Sequence, residues 1–404
     1  MSSNTVPALN PDTLIDQHDR AYLVDTLSRL ARVPTHVPLG YDTFIEPDHP
    51  RLVHYVQVVL RPELIDLGCY DLIDAGRNNM VVRLGAGGTG RALLIQNYTP
   101  AQHNNLMDDP FSGKIASARA YGCDEPAVFG QGVSQCKAHQ AVMLAALRWL
   151  QESGVALNGR LYWAINNEGN SSHACTESVL AALDEQPDFC IIQVGTGLTL
   201  SLGNRGRVDV NIHVKGKVTH SSTPDQGLSA IDGANEVLNR LKRIQWHDTH
   251  PLLGGRHAIA YKIRYEPVAP HTLPSDAYIT VDRRMLPGDD PEAAAQEIRE
   301  AIGDLSPYEV TVEAGFYMLP ALVEPDDPGV QTLQRANERV RGRAADTVYG
   351  QGSFDAGGLC VHGIPAVMYG ASGGESLVGA DFVPVSAVET ELKVLIHTIL
   401  EWLT

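Results

Sequence analysis

The chain has 404 residues, more than a single hydrophobic core usually serves, so two domains are expected. Hydrophobic residues make up 44% and charged residues 20%, an ordinary globular composition, and the net charge of -17 argues against a nucleic-acid or anionic-membrane partner. No apolar run approaches the roughly 18 residues of a membrane span, the N-terminal stretch lacks the parts of a signal peptide, and the six cysteines show no C-x-x-C spacing. These features read as a cytoplasmic protein with free thiols.

In chain order, Leu14 to Val33 and Pro50 to Leu67 carry apolar residues at helical spacing. Asp71 to Ala75, Asn79 to Leu84 and Arg91 to Asn97 read as strands. Between the last two lies GAGGTG, Gly85 to Gly90. It matches the dinucleotide fingerprint formally, but a strand follows instead of a helix, so a glycine-rich hairpin is expected and no nucleotide. A polar loop, Thr99 to Phe111, leads to GQGVSQCK, Gly130 to Lys137, and then to a helix from about Cys136 to Glu152. Glycines before a helix N-terminus suit either a ligand or a packing turn. Strand Arg160 to Ile165 ends in NNEGNSSH, where Glu168 is the one carboxylate; strand ends in α/β sheets often face the active crevice. Helix Ala174 to Leu183 and strand Phe189 to Val194 complete an α/β pattern, a mixed, mostly parallel sheet sandwiched by helices.

The order then changes. Strand Val208 to Val214, helix Leu228 to Ile244, strands His257 to Tyr265 and Ala277 to Arg283, helix Pro291 to Leu305 and strand Glu309 to Ala314 make a βαββαβ, ferredoxin-like unit. It divides the chain into residues 1–205 with 317–404, and an insert, 206–316. Within the insert, His220 follows a strand and opens a turn of small hydroxylated residues, a position suited to a cleft or to a solvated loop. After it come helix Gly329 to Arg341, the loop QGSFDAGG, strand Ile364 to Tyr369 and helix Val385 to Leu403.

With HSSTPDQG around His220, DRRMLPG from Asp282 to Gly288, DDPF from Asp108, the GQGVSQCK turn and FDAGG from Phe354, the chain resembles the zinc amidohydrolase and exopeptidase family that includes acetylornithine deacetylase, succinyl-diaminopimelate desuccinylase, glutamate carboxypeptidase and aminoacylase. The resemblance implies a homodimer through the insert, a small-molecule substrate, His220 as oxyanion stabiliser and Arg284 as anchor for a substrate carboxylate. It also implies two zinc ions, and there the sequence departs. Where the family has G-H-x-D, this chain has Tyr98 and Pro100 for the histidine and aspartate. Gln135 replaces the bridging aspartate, NNEGN leaves only Glu168, Gln193 or Val194 stands for the next carboxylate, and Leu377 for the last histidine. Leu and Val offer no lone pair, and Tyr and Gln are poor substitutes. The expectation is therefore no metal and no cofactor, with Glu168 as general base or as a carboxyl held protonated by burial.

Tyr98, Gln135 and Asn167 would then fill the metal volume with hydrogen-bonding groups, Asp355 joins the substrate-binding residues, and His271 in PHTLPSD is the first candidate for specificity. The register of Glu168 against the family motif is open by one or two residues. Three alternatives remain beside this reading: an inactive binding relative, a relocated metal site drawing on His103, Glu125, His139, His173 or Glu375, and a Cys136 nucleophile served by His139. GASGG, Gly370 to Gly374, matches G-x-S-x-G but has only His397 after it, so it reads as a glycine turn.

Overall fold

The computed structural model describes residues 14–37, 45–69, 71–87, 90–101, 106–168, 172–374 and 379–404. Helix α1 (Gln17–Ala31) begins at a reciprocal capping box between Asp16 and Asp19, which satisfies two otherwise orphaned N–H groups. Residues 50–66 are helical throughout, with a π-helical segment, His54–Leu60, in the middle. Strands β1 (Leu72–Asp74), β2 (Met80–Gly85) and β3 (Ala92–Tyr98) follow, then β4 (Ile115–Ser117), β5 (Pro126–Phe129), α2 (Ala138–Ser153), β6 (Arg160–Asn166), α3 (Ala174–Ala182), β7 (Phe189–Gln193) and β8 (Leu200–Asn204). The insert supplies β9 (Gly206–Lys215), α4 (Ala230–Leu241), β10 (Ala258–Glu266), β11 (Asp276–Met285), α5 (Pro291–Ile302) and β12 (Glu309–Met318). The chain ends with α6 (Pro328–Arg341), β13 (Ala366–Tyr369), β14 (Phe382–Pro384) and α7 (Val385–Leu403).

These elements form two compact units, one of residues 1–202, 323–348 and 358–404, the other of 203–322 with 349–357. In the first, the strand order is β1-β2-β6-β3-β7-β13-β8. The central four, β6, β3, β7 and β13, run parallel, while β1, β2 and β8 attach antiparallel. The expected mixed α/β architecture is present. β3 is buried along its whole length, as a strand covered on both faces must be, and its continuous apolar run is the cause.

The expected glycine hairpin is not formed. β2 and β3 do not pair with each other; they lie on either side of β6, antiparallel and parallel to it. The glycines serve close approach instead. A Cβ on Gly85, which has φ +90°, would sit 2.1 Å from the carbonyl oxygen of Gly159, and one on Gly90 2.8 Å from that of Asn158. The fingerprint spacing thus reflects packing against the turn before β6.

A second, three-stranded sheet in the order β14-β5-β4 lies in stretches to which the sequence reading assigned no element. Phe129 and Phe382 pack with ring centroids 5.3 Å apart across it. Its consequence is positional, since β5 delivers the chain directly into Gly130 and the GQGVSQCK turn.

In the second unit the strand order is β10-β11-β9-β12, all antiparallel, the ferredoxin-like arrangement expected from βαββαβ. Val208, Val210, Ile212 and Val214 form one buried face with Ala234 and Val237 of α4 and Ala295 and Ile298 of α5. The period-two alternation read in the sequence is the reason.

Candidate active site

The parallel strands of the first unit bring their C-terminal ends side by side, the edge at which open α/β sheets bind ligands. Tyr98 pairs in register with Asn166, and Asn97 with Gln193, so the ends of β3, β6 and β7 form one row. Glu168 lies two residues past β6 and is fully buried. Its Oε2 accepts the backbone N–H of Cys175 at 3.2 Å, in the first turn of α3, where free N–H groups and the helix dipole favour a negative charge. Asn167 is equally buried and is tied by its Nδ2 to the carbonyl of Asn78 at 2.6 Å and by its N–H to Asn79 Oδ1 at 2.8 Å. Tyr98 is held through its carbonyl, which accepts Gln140 Nε2 at 3.1 Å, and Gln140 in turn accepts the Tyr55 hydroxyl at 2.6 Å. Tyr98, Asn167 and Glu168 thus lie at or just past the ends of two neighbouring strands.

Gln135 sits in a π-helical turn, Val133–Lys137, that precedes α2. The helix begins at Ala138 and not at the expected Cys136 because this wider turn takes up the intervening residues. Asp381 fixes the start of the turn by accepting the N–H groups of Gly132 at 2.6 Å and Ser134 at 3.1 Å. Lys137 fixes its end. Its buried ammonium, pushed down by burial to about 8, donates to the carbonyls of Val33 at 2.6 Å and Gln131 at 3.3 Å.

Beneath the turn lies a buried pair that the sequence reading did not assemble. His139 Nδ1 is 2.9 Å from Glu391 Oε1, and both residues have no exposed surface. Glu391 also accepts Gln193 Nε2 at 2.8 Å and the N–H of Ala371 at 2.8 Å. Gln193 accepts Asn97 Nδ2 at 2.9 Å, and Asn97 accepts the Trp163 indole N–H. A signal was available: Glu391 is an acid on the stripe of α7 that holds Val388, Leu392 and Leu395, where only apolar residues are otherwise expected.

In the second unit, His220 and His271 come together, with ring centroids 6.1 Å apart. Both are exposed, and His271 adopts φ +51°, a left-handed turn conformation. The N–H of Ser222 donates to His220 Nδ1 at 3.1 Å, so the neutral imidazole carries its proton on Nε2. Arg284 is ion-paired with Asp282 at 2.8 Å and donates to the carbonyl of Gln351 at 3.4 Å. Asp355 is fully buried in the 349–357 segment of the same unit.

The alternatives fare differently. Cys136 is buried and donates its thiol to the carbonyl of Pro100 at 3.2 Å, and His139 is engaged with Glu391, so the pair does not form a nucleophile and base. Gly370 to Gly374 are not helical and Gly374 pairs with Phe382, so among the described residues GASGG shows no strand-turn-helix geometry of a nucleophile elbow. Of the proposed relocated ligands, His103 and Glu375, together with Leu377, lie outside the described residues. Glu125 stands beside Cys123, and the ring of His173 packs on Gly358. Among the described residues, no three His, Cys, Asp or Glu side chains gather as a metal-holding group. No helix among them is long and apolar enough to cross a membrane.

Comparison with known proteins agrees with this architecture. Residues 202–309 match the family profile described as a peptidase dimerisation domain. Acetylornithine deacetylase of Aliivibrio salmonicida is 26% identical over 258 residues, covering 59% of this chain and 63% of that protein. The match thus spans somewhat less than two thirds of the curated relative's length. Two solved structures share the fold more completely. Aminopeptidase PepT of Bacillus cereus superposes with a TM-score of 0.69 at 18% identity, covering 96% of this chain and 99% of the other. An M20 family metallo-carboxypeptidase of Sulfolobus solfataricus gives 0.72 at 15% identity, covering 95% and 99%. The dimerisation-domain match and the deacetylase relatives support a relationship to the M20 family of amidohydrolases and exopeptidases, and the solved structures show the shared fold.

Proposed function

We propose that the protein is a cytoplasmic hydrolase of a C–N bond, amide or ureido, in a small carboxylate-bearing substrate, and that it works without a catalytic metal. The observation that carries this reading is Glu168, a buried carboxylate at the strand-end row whose other members, Tyr98, Asn97, Asn166, Asn167 and Gln193, are neutral. One carboxylate among amides and a phenol does not fit a pair of zinc ions, which take histidine and carboxylate donors. The same groups suit proton transfer. In this mechanism Glu168 removes a proton from water as its oxygen bonds to the substrate carbonyl carbon. His220 donates from Nε2 to the oxyanion that forms, and the carboxyl of Glu168 returns the proton to nitrogen as the C–N bond breaks. Arg284 anchors the substrate carboxylate with guanidinium donors beyond those used on Asp282 and Gln351. Tyr98, Gln135 and Asn167 orient substrate and water, Asp355 supports the substrate side, and His271 contributes to specificity through its place beside His220.

The test is metal content of the untagged protein by plasma mass spectrometry, joined to turnover of N-acyl and ureido acids before and after chelation. Near-zero metal with chelator-resistant turnover is expected. Stoichiometric zinc or manganese, with activity lost on chelation, would mean that the ligands come from residues assigned other roles above.

We also propose a homodimer through the insert. β10 is an edge strand, hydrogen-bonded only to β11, and it exposes Ile259, Tyr261 and Ile263 by 59%, 56% and 57%. A register shift between Ala260 and Lys262 turns apolar side chains to both faces of that edge. Exposed apolar edges invite pairing with another chain. Ile259→Asp with Ile263→Asp is expected to convert a dimer to a monomer in sedimentation velocity; an unchanged sedimentation coefficient would place the interface elsewhere.

A further inference from the structure

We infer that the buried His139–Glu391 pair is an internal cross-link that positions the candidate site, tying together by hydrogen bonds the strand ends and turn that carry its side chains. The inference rests on the metal-independent reading above, since in that reading no ion joins these segments.

The geometry gives the pair its reach. Glu391 projects from the middle of α7 and His139 from the first turn of α2. Through Oε1 and Oε2, Glu391 holds the end of β7 by Gln193 and the loop after β13 by Ala371 N–H. Through Gln193 the connection continues to Asn97 of β3 and Trp163 of β6. His139 Nε2 is 3.2 Å from the carbonyl of Ser134, the residue before Gln135. Ser134 Oγ in turn accepts the N–H of Gly373 at 3.4 Å. Every segment bearing Tyr98, Gln135 and Gln193 is thus reached within two or three hydrogen bonds of one carboxylate.

The proton count follows from the partners. The carbonyl of Ser134 only accepts, so Nε2 of His139 bears a proton. Glu391 already receives two N–H donors, which favours its carboxylate form, and the Nδ1 proton then also sits on the ring. These hydrogen bonds thus describe an imidazolium facing a carboxylate, both without exposed surface. Buried ion pairs of this kind contribute little net stability, because desolvation offsets the attraction, and their best-supported use is to specify one arrangement over others. The surroundings are shaped to the ring as well: a Cβ on Gly370 would lie 2.5 Å from His139 Cε1, so only glycine fits there.

His139 and Glu391 touch no substrate in this account and are positioning residues. Their test compares wild type with Glu391→Gln, which preserves shape and removes the charge. Loosened positioning is expected to lower kcat by about 10- to 100-fold with KM within about twofold, and to speed hydrogen exchange at the Ala371 amide. In wild type, nitrogen-15 spectra should show both ring nitrogens of His139 protonated at neutral pH, a measurement that stands even if the variant does not fold. Unchanged kcat with unchanged exchange at Ala371, or a neutral His139 ring in wild type, would overturn the inference. Absence of turnover by wild type on every substrate would count against the hydrolase reading alone, because the exchange and ring-protonation results still decide the cross-link.

Discussion

Glu168→Gln is expected to lower kcat by about 10²- to 10⁴-fold, the usual worth of a positioned general base. The substitution isolates proton transfer. Glutamine has the same shape and retains a carbonyl oxygen to accept the Cys175 N–H that Glu168 now accepts. What it loses is the site for the water proton, at a position where burial excludes bulk water as a substitute base. Steady-state kinetics with circular dichroism on the same samples decides the matter. Turnover within about tenfold of wild type, with the fold intact, would remove Glu168 from the chemistry.

His220→Ala is expected to cost about 10²- to 10³-fold in kcat, the range seen when one oxyanion donor is removed. The tautomer supports this size of effect: with Ser222 N–H donating to Nδ1, the ring already presents an Nε2 donor without reorganisation. Because the side chain is exposed, the same change should leave stability within about 0.5 kcal/mol. That separation of effects is informative. A rise in KM at constant kcat would assign His220 to substrate binding and not to the oxyanion, and unchanged kinetics would return it to an ordinary surface histidine.

The architecture was legible in the sequence where burial imposes a period. The alternation of Val208, Val210, Ile212 and Val214 marks β9, the continuous run of β3 marks a strand covered on both faces, and the βαββαβ order of the insert survives intact. The Gly85 to Gly90 stretch misled because a glycine permits both a tight turn and a close contact, and the local sequence does not say which. Here the contact is with Gly159, some seventy positions away in the chain. The small β14-β5-β4 sheet escaped for a related reason, since three- and four-residue strands are too short to display a period.

By itself the sequence determined the fold class and the chemical inventory, including the single carboxylate after β6. Those depend on periodicity and residue type, which are local properties. Only the tertiary structure decided which groups share a neighbourhood. It joined His220 to His271, closed the thiol of Cys136 onto Pro100, and set Glu391 of the last helix under a turn more than two hundred residues earlier. A buried polar side chain must find its partner wherever the packed chain offers one. Spacing along the sequence therefore carries no record of that choice.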